Sequence, residues 1–173
     1  MPTFTHGGAD PLVAGVYERW EKQGLPGAPW PFMSMVSVAR LHQLLQKALE
    51  AELKRLGLTR TGYFLLTTLA LISEGHASLS TLSRLVMLHP TSVRLTVDQL
   101  EAAGLVGRLP HPSDRRATLV RITDAGRERA GAVNRALESP DGPMGVFTGF
   151  HREVFEALQP VRRAAGDLDD LVL

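Results

Sequence analysis

Apolar positions recur along most of this chain at helical spacing, but between Ser78 and Gly126 the rhythm changes from helix to strand and back. Leu79, Leu82, Leu85 and Val86 mark one face of a short helix that Ser78 is suited to cap. Thr81 stands where a full capping box carries Glu or Gln, so the box is incomplete. Met87, Leu88 and His89 form a turn. Pro90 disfavours helical geometry at His89 and suits the first position of a new helix, predicted over 90–103 with Gly104 as its stop. At about 100° per residue, Val93, Val97 and Leu100, with Thr96 between them, share the buried side of this helix. Thr91, Arg94, Leu95 and Asp98 point the other way, with Ser92 on the flank. Two β-prone runs follow, over 105–109 and 118–123, joined by PHPSDRRA, whose Pro, Ser and Asp are turn formers. Val120 and Ile122 alternate with Leu119 and Arg121, as a half-buried strand requires. Thr123 caps a further helix, with Asp124 near its positive end. Helix, turn, helix and wing is an order that puts one helix in a DNA groove and a loop beside it.

The flanks are helical. Residues 1–11 show no period and are expected to be loose. Over 11–22, Leu12, Val13, Val16, Tyr17 and Trp20 form an apolar stripe ending in aromatic residues. The GLPGAPWPF stretch, residues 24–32, breaks that helix with prolines. A long helix over 34–56, apolar around much of its circumference, stops at Gly57. Such a helix needs two partners, so one face can serve its own subunit and another a second chain. Thr59 caps a helix reaching about Ser73, behind the DNA-reading pair. The helix after Thr123 runs to about Glu138, and SPDGPMG breaks the chain. A last helix is predicted over 146–165, with Phe147, Phe150, Val154, Leu158 and Val161 at roughly heptad spacing. Periodicity alone leaves that stripe open between core and subunit interface.

Composition narrows the function. The 173 residues, 44% of them hydrophobic, allow one domain with helical extensions and a sizeable core. With no Cys, disulfides, thiolate metal sites and thiol-based oxidant sensing are excluded. No run of about eighteen apolar residues and no charged-then-apolar leader is evident, so a cytoplasmic protein without a membrane partner is expected. A net charge of +1 would argue against nucleic acid if it were evenly spread. It is not: residues 105–135 hold seven Arg against three acids, and residues 137–173 hold three Arg against seven acids. Local charge decides where phosphate binds.

The candidate chemistry sits in that basic half. An ordinary solvated helix carries Glu and Lys, whereas the second helix presents small hydroxyls, one Arg and one bare Leu. Hydroxyls of Thr91 and Ser92 can bond bases or phosphates, Arg94 can pair with guanine, and Leu95 can pack on a thymine methyl. Arg115 and Arg116, at a loop tip with little to pack against, suit a narrow negative minor groove, and Asp114 is expected to pair with an Arg and fix the loop. Of the six histidines His6, His42, His76, His89, His111 and His151, none has the spacing of two ligands on one helical face. His89 and His111 are expected at phosphate instead, and neither metal nor cofactor is expected. An exposed hairpin tip offers no dry pocket to shift a pKa, and no phosphate loop or nucleophile elbow is present, so an enzyme is not expected.

From about Leu58 to Gly126 the chain resembles the MarR family of bacterial winged-helix transcription regulators, on LEAAGLV at the close of the second helix and HPSDRRATLVRITDAG through the wing. The resemblance implies an obligate homodimer formed by the terminal helices, a pseudo-palindromic operator, and release by a small ligand or oxidant. By position it makes Arg116 the minor-groove residue. The chain departs from the family pattern at Met87, where Gly is usual, and at His89, where Ser is common. The extra first helix with Trp20 is similar to the urate-responsive branch of the family. Phe64 and Thr96, however, replace the acidic and basic residues of that branch. The implied ligand is therefore apolar or aromatic, bound near Trp20, Trp30, Tyr63 and Phe64 between the dimer helices and the DNA-reading domain. The alternative is that Trp20 and Trp30 only pack on the long helix.

The expectation is thus a mainly α protein with a small β-hairpin wing. A winged helix-turn-helix domain over 58–126 lies between dimerisation helices over 1–57 and 127–173. Its partners would be double-stranded DNA, a second copy and a small aromatic molecule, and its role that of a repressor. The rival readings are a winged-helix module that docks an acidic protein and, more weakly, a hydrolase.

Overall fold

The computed structural model describes residues 15–112, 118–142, 144–147 and 149–167. It divides into two compact units, Met1–Gln46 and Lys47–Leu173, the division falling within α2.

In the first unit, α1 (Val16–Lys22) is followed by a proline-rich turn and the start of α2 (Trp30–Arg55). The predicted break over 24–32 is shorter than expected. Pro31 lies in the first turn of α2, where its missing N–H is not needed, so the helix starts at Trp30 rather than at residue 34. The amide of Met33 donates to the carbonyl of Pro29 at 2.9 Å. α1 begins at Val16; the predicted first turn over 11–14 lies outside the described residues.

The second unit is built on leucine. α3 (Arg60–Leu71) buries Leu65, Leu66 and Leu69 completely. Leu82 of α4 (Leu79–Leu85), Val93, Val97 and Leu100 of α5 (Pro90–Ala102), and Ala130 of α6 (Asp124–Glu138) meet them in one core. Burial of each such Leu or Val stabilises by about 1.5–3 kcal/mol, so this cluster dominates the stability of the unit. The caps read from sequence are in place. Thr59, Ser78 and Thr123 accept from the amides of Gly62, Thr81 and Gly126 at 3.1, 3.1 and 3.0 Å.

The expected β-hairpin is present, and a short third strand extends it into a three-stranded antiparallel sheet. β2 (Val106–Pro110) pairs with β3 (Thr118–Ile122), and β1 (His76–Ser78) pairs with the other edge of β3, giving the order β1-β3-β2. Ala77 faces Val120, and Leu109 faces Leu119. β1 has only three residues, HAS, too few for their alternation to mark a strand, which is why patterning does not predict it. α3 likewise ends at Leu71, not Ser73, because Ile72 is already extended.

The C-terminal region departs furthest from expectation. A 3-10 turn, Gly145–Phe147, precedes α7 (His151–Ala164) where one helix was predicted over 146–165. Gly149 at φ 94° interrupts the helical path between them. No residue of α7 is buried.

Candidate nucleic-acid interface

α4 and α5 enclose a turn with a specific closure. The amide of Leu88 donates to Ser83 O at 3.0 Å and that of Met87 to Arg84 O at 3.2 Å, the paired bonds of a Schellman end. That end needs a left-handed residue, and Met87 supplies it at φ 53°. α5 closes in the same way, with Gly104 as the left-handed residue and the Leu105 amide on Leu100 O at 2.9 Å. At its start, Nδ1 of His89 accepts from the amide of Thr91 at 3.2 Å. His89 is therefore the N-cap of α5, followed by Pro90 in the first helical position.

The two faces of α5 separate as the spacing predicts. Val93, Thr96, Val97 and Leu100 are buried, and the Thr96 hydroxyl donates to Ser92 O at 3.0 Å. Thr91, Ser92, Arg94 and Asp98 are exposed, and Leu95 stands 60% exposed among them. An apolar side chain left in water on an otherwise polar face has nothing in this unit to pack on. The exposed face can offer hydroxyl donors, one guanidinium and one methyl surface to a DNA groove.

Sequence reasoning missed Arg108. It projects from β2 and donates through Nη2 to Asp98 and through Nη1 to Glu101, binding both carboxylates of α5. Hydrogen bonding to Asp98, ahead of the Coulomb attraction of both acids, holds the Arg108 guanidinium pKa above its usual value, although partial burial opposes this. Asp98 and Glu101 at i and i+3 were a visible pair, but no spacing rule connects a helix to a strand ten residues on. A groove of about 570 Å³, lined by Ser78, Ser80, Arg94, Asp98, Arg108 and Thr118 among others, runs beside this cluster.

Asp114, Arg115 and Arg116 lie outside the described residues. His111 directly follows β2. Of the four aromatic residues predicted at a ligand, Trp20 and Trp30 belong to the first unit and Tyr63 and Phe64 to the second. In the first, Trp20 packs on Phe32 at 6.0 Å and Trp30 on Tyr17 at 6.1 Å, and the indole N–H of Trp20 donates to Gly27 O at 3.0 Å. In the second, Tyr63 and Phe64 lie 5.7 Å apart, and the Tyr63 hydroxyl donates to Asn134 at 2.6 Å. Burial pushes the Tyr63 phenol pKa upward. Among the described residues no three metal-ligating side chains gather, and no helix is long and apolar enough to cross a membrane.

Comparison with known proteins bears on this arrangement. The MarR family model matches residues 58–118. The crystal structure of Sco5413, a MarR family transcriptional regulator from Streptomyces coelicolor, is 38% identical, with a TM-score of 0.70 over 83% of this chain and 100% of that one. The chain belongs to the MarR family of transcriptional regulators. As a member it is a DNA-binding regulator with the winged-helix fold. The HTH-type transcriptional regulator YdgJ of Bacillus subtilis (strain 168) is 41% identical over 82 residues, which are 47% of this chain and about half, 49%, of YdgJ. Sco3205, a MarR family regulator from Streptomyces coelicolor solved in complex with DNA, shares the fold at 24% identity, with a TM-score of 0.65 over 78% of this chain and 84% of that one.

Proposed function

We propose that this MarR-family regulator is a homodimeric, sequence-specific repressor that lays α5 in the major groove and its wing beside the minor groove. The carrying observation is the exposed face of α5, where Thr91, Ser92, Arg94 and Leu95 stand clear of the core. His89 at the head of α5 would sit near phosphate, with Arg115 and Arg116 on the wing and Asp114 holding its loop. The domain division follows: 58–126 reads DNA, and the segments before and after it dimerise. Support for the C-terminal contribution comes from α7, none of whose residues is fully buried, and from Phe150 just before it and Val161 within it, both more than 60% exposed. A two-fold axis then sets the half-sites about one DNA turn apart, roughly 34–36 Å.

A small aromatic or apolar effector is part of the same proposal. Tyr63 with Phe64 in one unit, and Trp20 with Trp30 in the other, offer ring faces for stacking. Phenolic compounds, salicylate among them, form the test panel, with tryptophan fluorescence as readout. A compound that binds and also weakens the DNA complex supports the reading; if none does both, the aromatic residues are structural.

The deciding experiment is a mobility-shift assay on DNA flanking the protein's own gene, run across a salt series. A specific complex that outlasts competitor DNA as salt rises is expected. Equal binding to all sequences at every salt, or none, rejects the repressor and favours a wing that docks an acidic protein.

A further inference from the structure

The outward face of α5 carries one cation, Arg94, and one anion a turn further on, Asp98. At i and i+4 on a helix such a pair attracts, weakly in this cation-first order, and the two side chains are within reach of each other. They do not pair. Asp98 gives its carboxylate to Arg108, whose other terminal nitrogen is held by Glu101. Arg94 is left without an ion-pair partner among the described residues.

We propose that Arg108 is a positioning residue for DNA recognition: by capturing Asp98 and Glu101 from the neighbouring strand, it keeps Arg94 unpaired and available to the groove. The inference rests on the assignment of α5 as the reading helix. Three features of the arrangement favour Arg108 over Arg94 as the holder of Asp98. The backbone of Arg108 is fixed by the sheet, where it pairs with Val120. Its planar fork engages two carboxylates at once, which Arg94 in its present place does not. Its side chain is 30% exposed against 52% for Asp98 and 38% for Glu101, so the guanidinium is the better shielded member of each pair and the Glu101 bond, the more covered of the two, anchors the cluster.

Electrostatics gives the arrangement a second consequence. Asp98 and Glu101 lie on the element that meets polyanionic DNA, and bare carboxylates there would repel phosphate. Arg108 cancels one of the two charges and disperses the other over a hydrogen-bonded cluster. Removing Arg108 would therefore do two things: Asp98 would fall back on Arg94, and the charge of Glu101 would be uncovered. Both would follow from the loss of a residue that need not touch DNA itself.

The test uses the full chain and a duplex selected by it from a random-sequence library. Wild type is compared with Arg94→Ala, Arg108→Gln, Asp98→Asn and the double variant Arg108→Gln/Asp98→Asn, each also melted thermally. Arg108→Gln is expected to lower affinity for the selected duplex about tenfold, as loss of a good base contact does. It should also relax preference at the same base position that Arg94→Ala relaxes. Adding Asp98→Asn to Arg108→Gln should restore that preference and most of the affinity. If the double variant stays as weak as Arg108→Gln, Arg108 touches DNA itself and the proposal fails. It fails too if Arg108→Gln keeps wild-type preference, whatever happens to its melting temperature. Should Arg108→Gln not fold, Arg108→Met replaces it: the apolar stem is kept while charge and donors are removed, and the same loss and the same rescue are expected. If wild type enriches no sequence, or Arg94→Ala changes no preference, the fault lies in the reading of α5, and the inference falls with it.

Discussion

A Cβ on Gly126 would stand 2.1 Å from the carbonyl oxygen of Leu105, so the first turn of α6 lies directly against the chain entering β2. Thr123 fastens the same junction. Its hydroxyl donates to Gly104 O at 2.8 Å and accepts from the Gly126 amide, and its own amide donates to Leu105 O at 3.1 Å. The end of α5, the start of β2 and the head of α6 are thus tied at one point.

Gly126→Ala should therefore be costly although it adds one methyl group. The added carbon would meet a backbone oxygen and, at 2.9 Å, a branch of buried Ile122. Overpacking of this kind costs about 3 kcal/mol. In a chain of this size that corresponds to a melting temperature lower by roughly 6–12 °C. Calorimetry checks it, and a variant melting within a degree of wild type would show that the junction yields.

Met87→Gly should act in the opposite direction. Met87 holds φ 53° and is 74% exposed, so it bears left-handed strain and contributes little packing. Glycine takes that conformation without a Cβ clash, and its larger unfolded-state entropy offsets part of the gain. The net expectation is about 1 kcal/mol of added stability and a melting temperature higher by about 2–4 °C. An unchanged or lower value would mean that Met87 is held by contacts outside its own turn.

These two residues show what was legible in the chain and what was not. The helix-turn-helix could be read because its information is local: caps at Ser78 and Thr123, Pro90 after His89, and one buried stripe in α5. β1 and the Arg108 cluster are encoded between elements, where a strand residue finds its partners through the tertiary fold rather than at a fixed offset. The Gly126 contact is of the same sort, a glycine required by an oxygen from a different element. At Trp30, the prolines signalled a break correctly, but Pro31 also fits inside a first helical turn, and the pattern did not choose between the two.

If α7 meets a second copy, charge placed on its apolar strip should separate the subunits. Phe150, Val154, Leu158 and Val161 fall within one strip by helical spacing, and Val161 is 64% exposed. Leu158→Glu/Val161→Glu removes two apolar anchors worth about 1.5–3 kcal/mol each when buried. That is a loss of roughly 100-fold or more in self-association. Sedimentation should show monomers while circular dichroism keeps its helical signal. A double variant that sediments as the wild-type dimer would place the interface elsewhere.

The wing makes the sharpest claim about DNA. Arg115 and Arg116 are adjacent, and the motif match alone assigns Arg116 to the minor groove and Arg115 to phosphate. On the motif match, replacing Arg116 with Ala takes a charge from a narrow negative groove. Specific binding should weaken by about 1–3 kcal/mol, the range of a good base contact. Arg115→Ala should weaken all sequences alike and lower the slope of log affinity against log salt by about one unit. Melting temperatures should stay within a degree of wild type in both, which separates a contact defect from misfolding. If Arg116→Ala binds its operator like wild type while Arg115→Ala loses specificity, the assignment is reversed. If neither variant alters binding, the wing is not a DNA element in this protein. The docking of an acidic partner would then be the better reading of its charge.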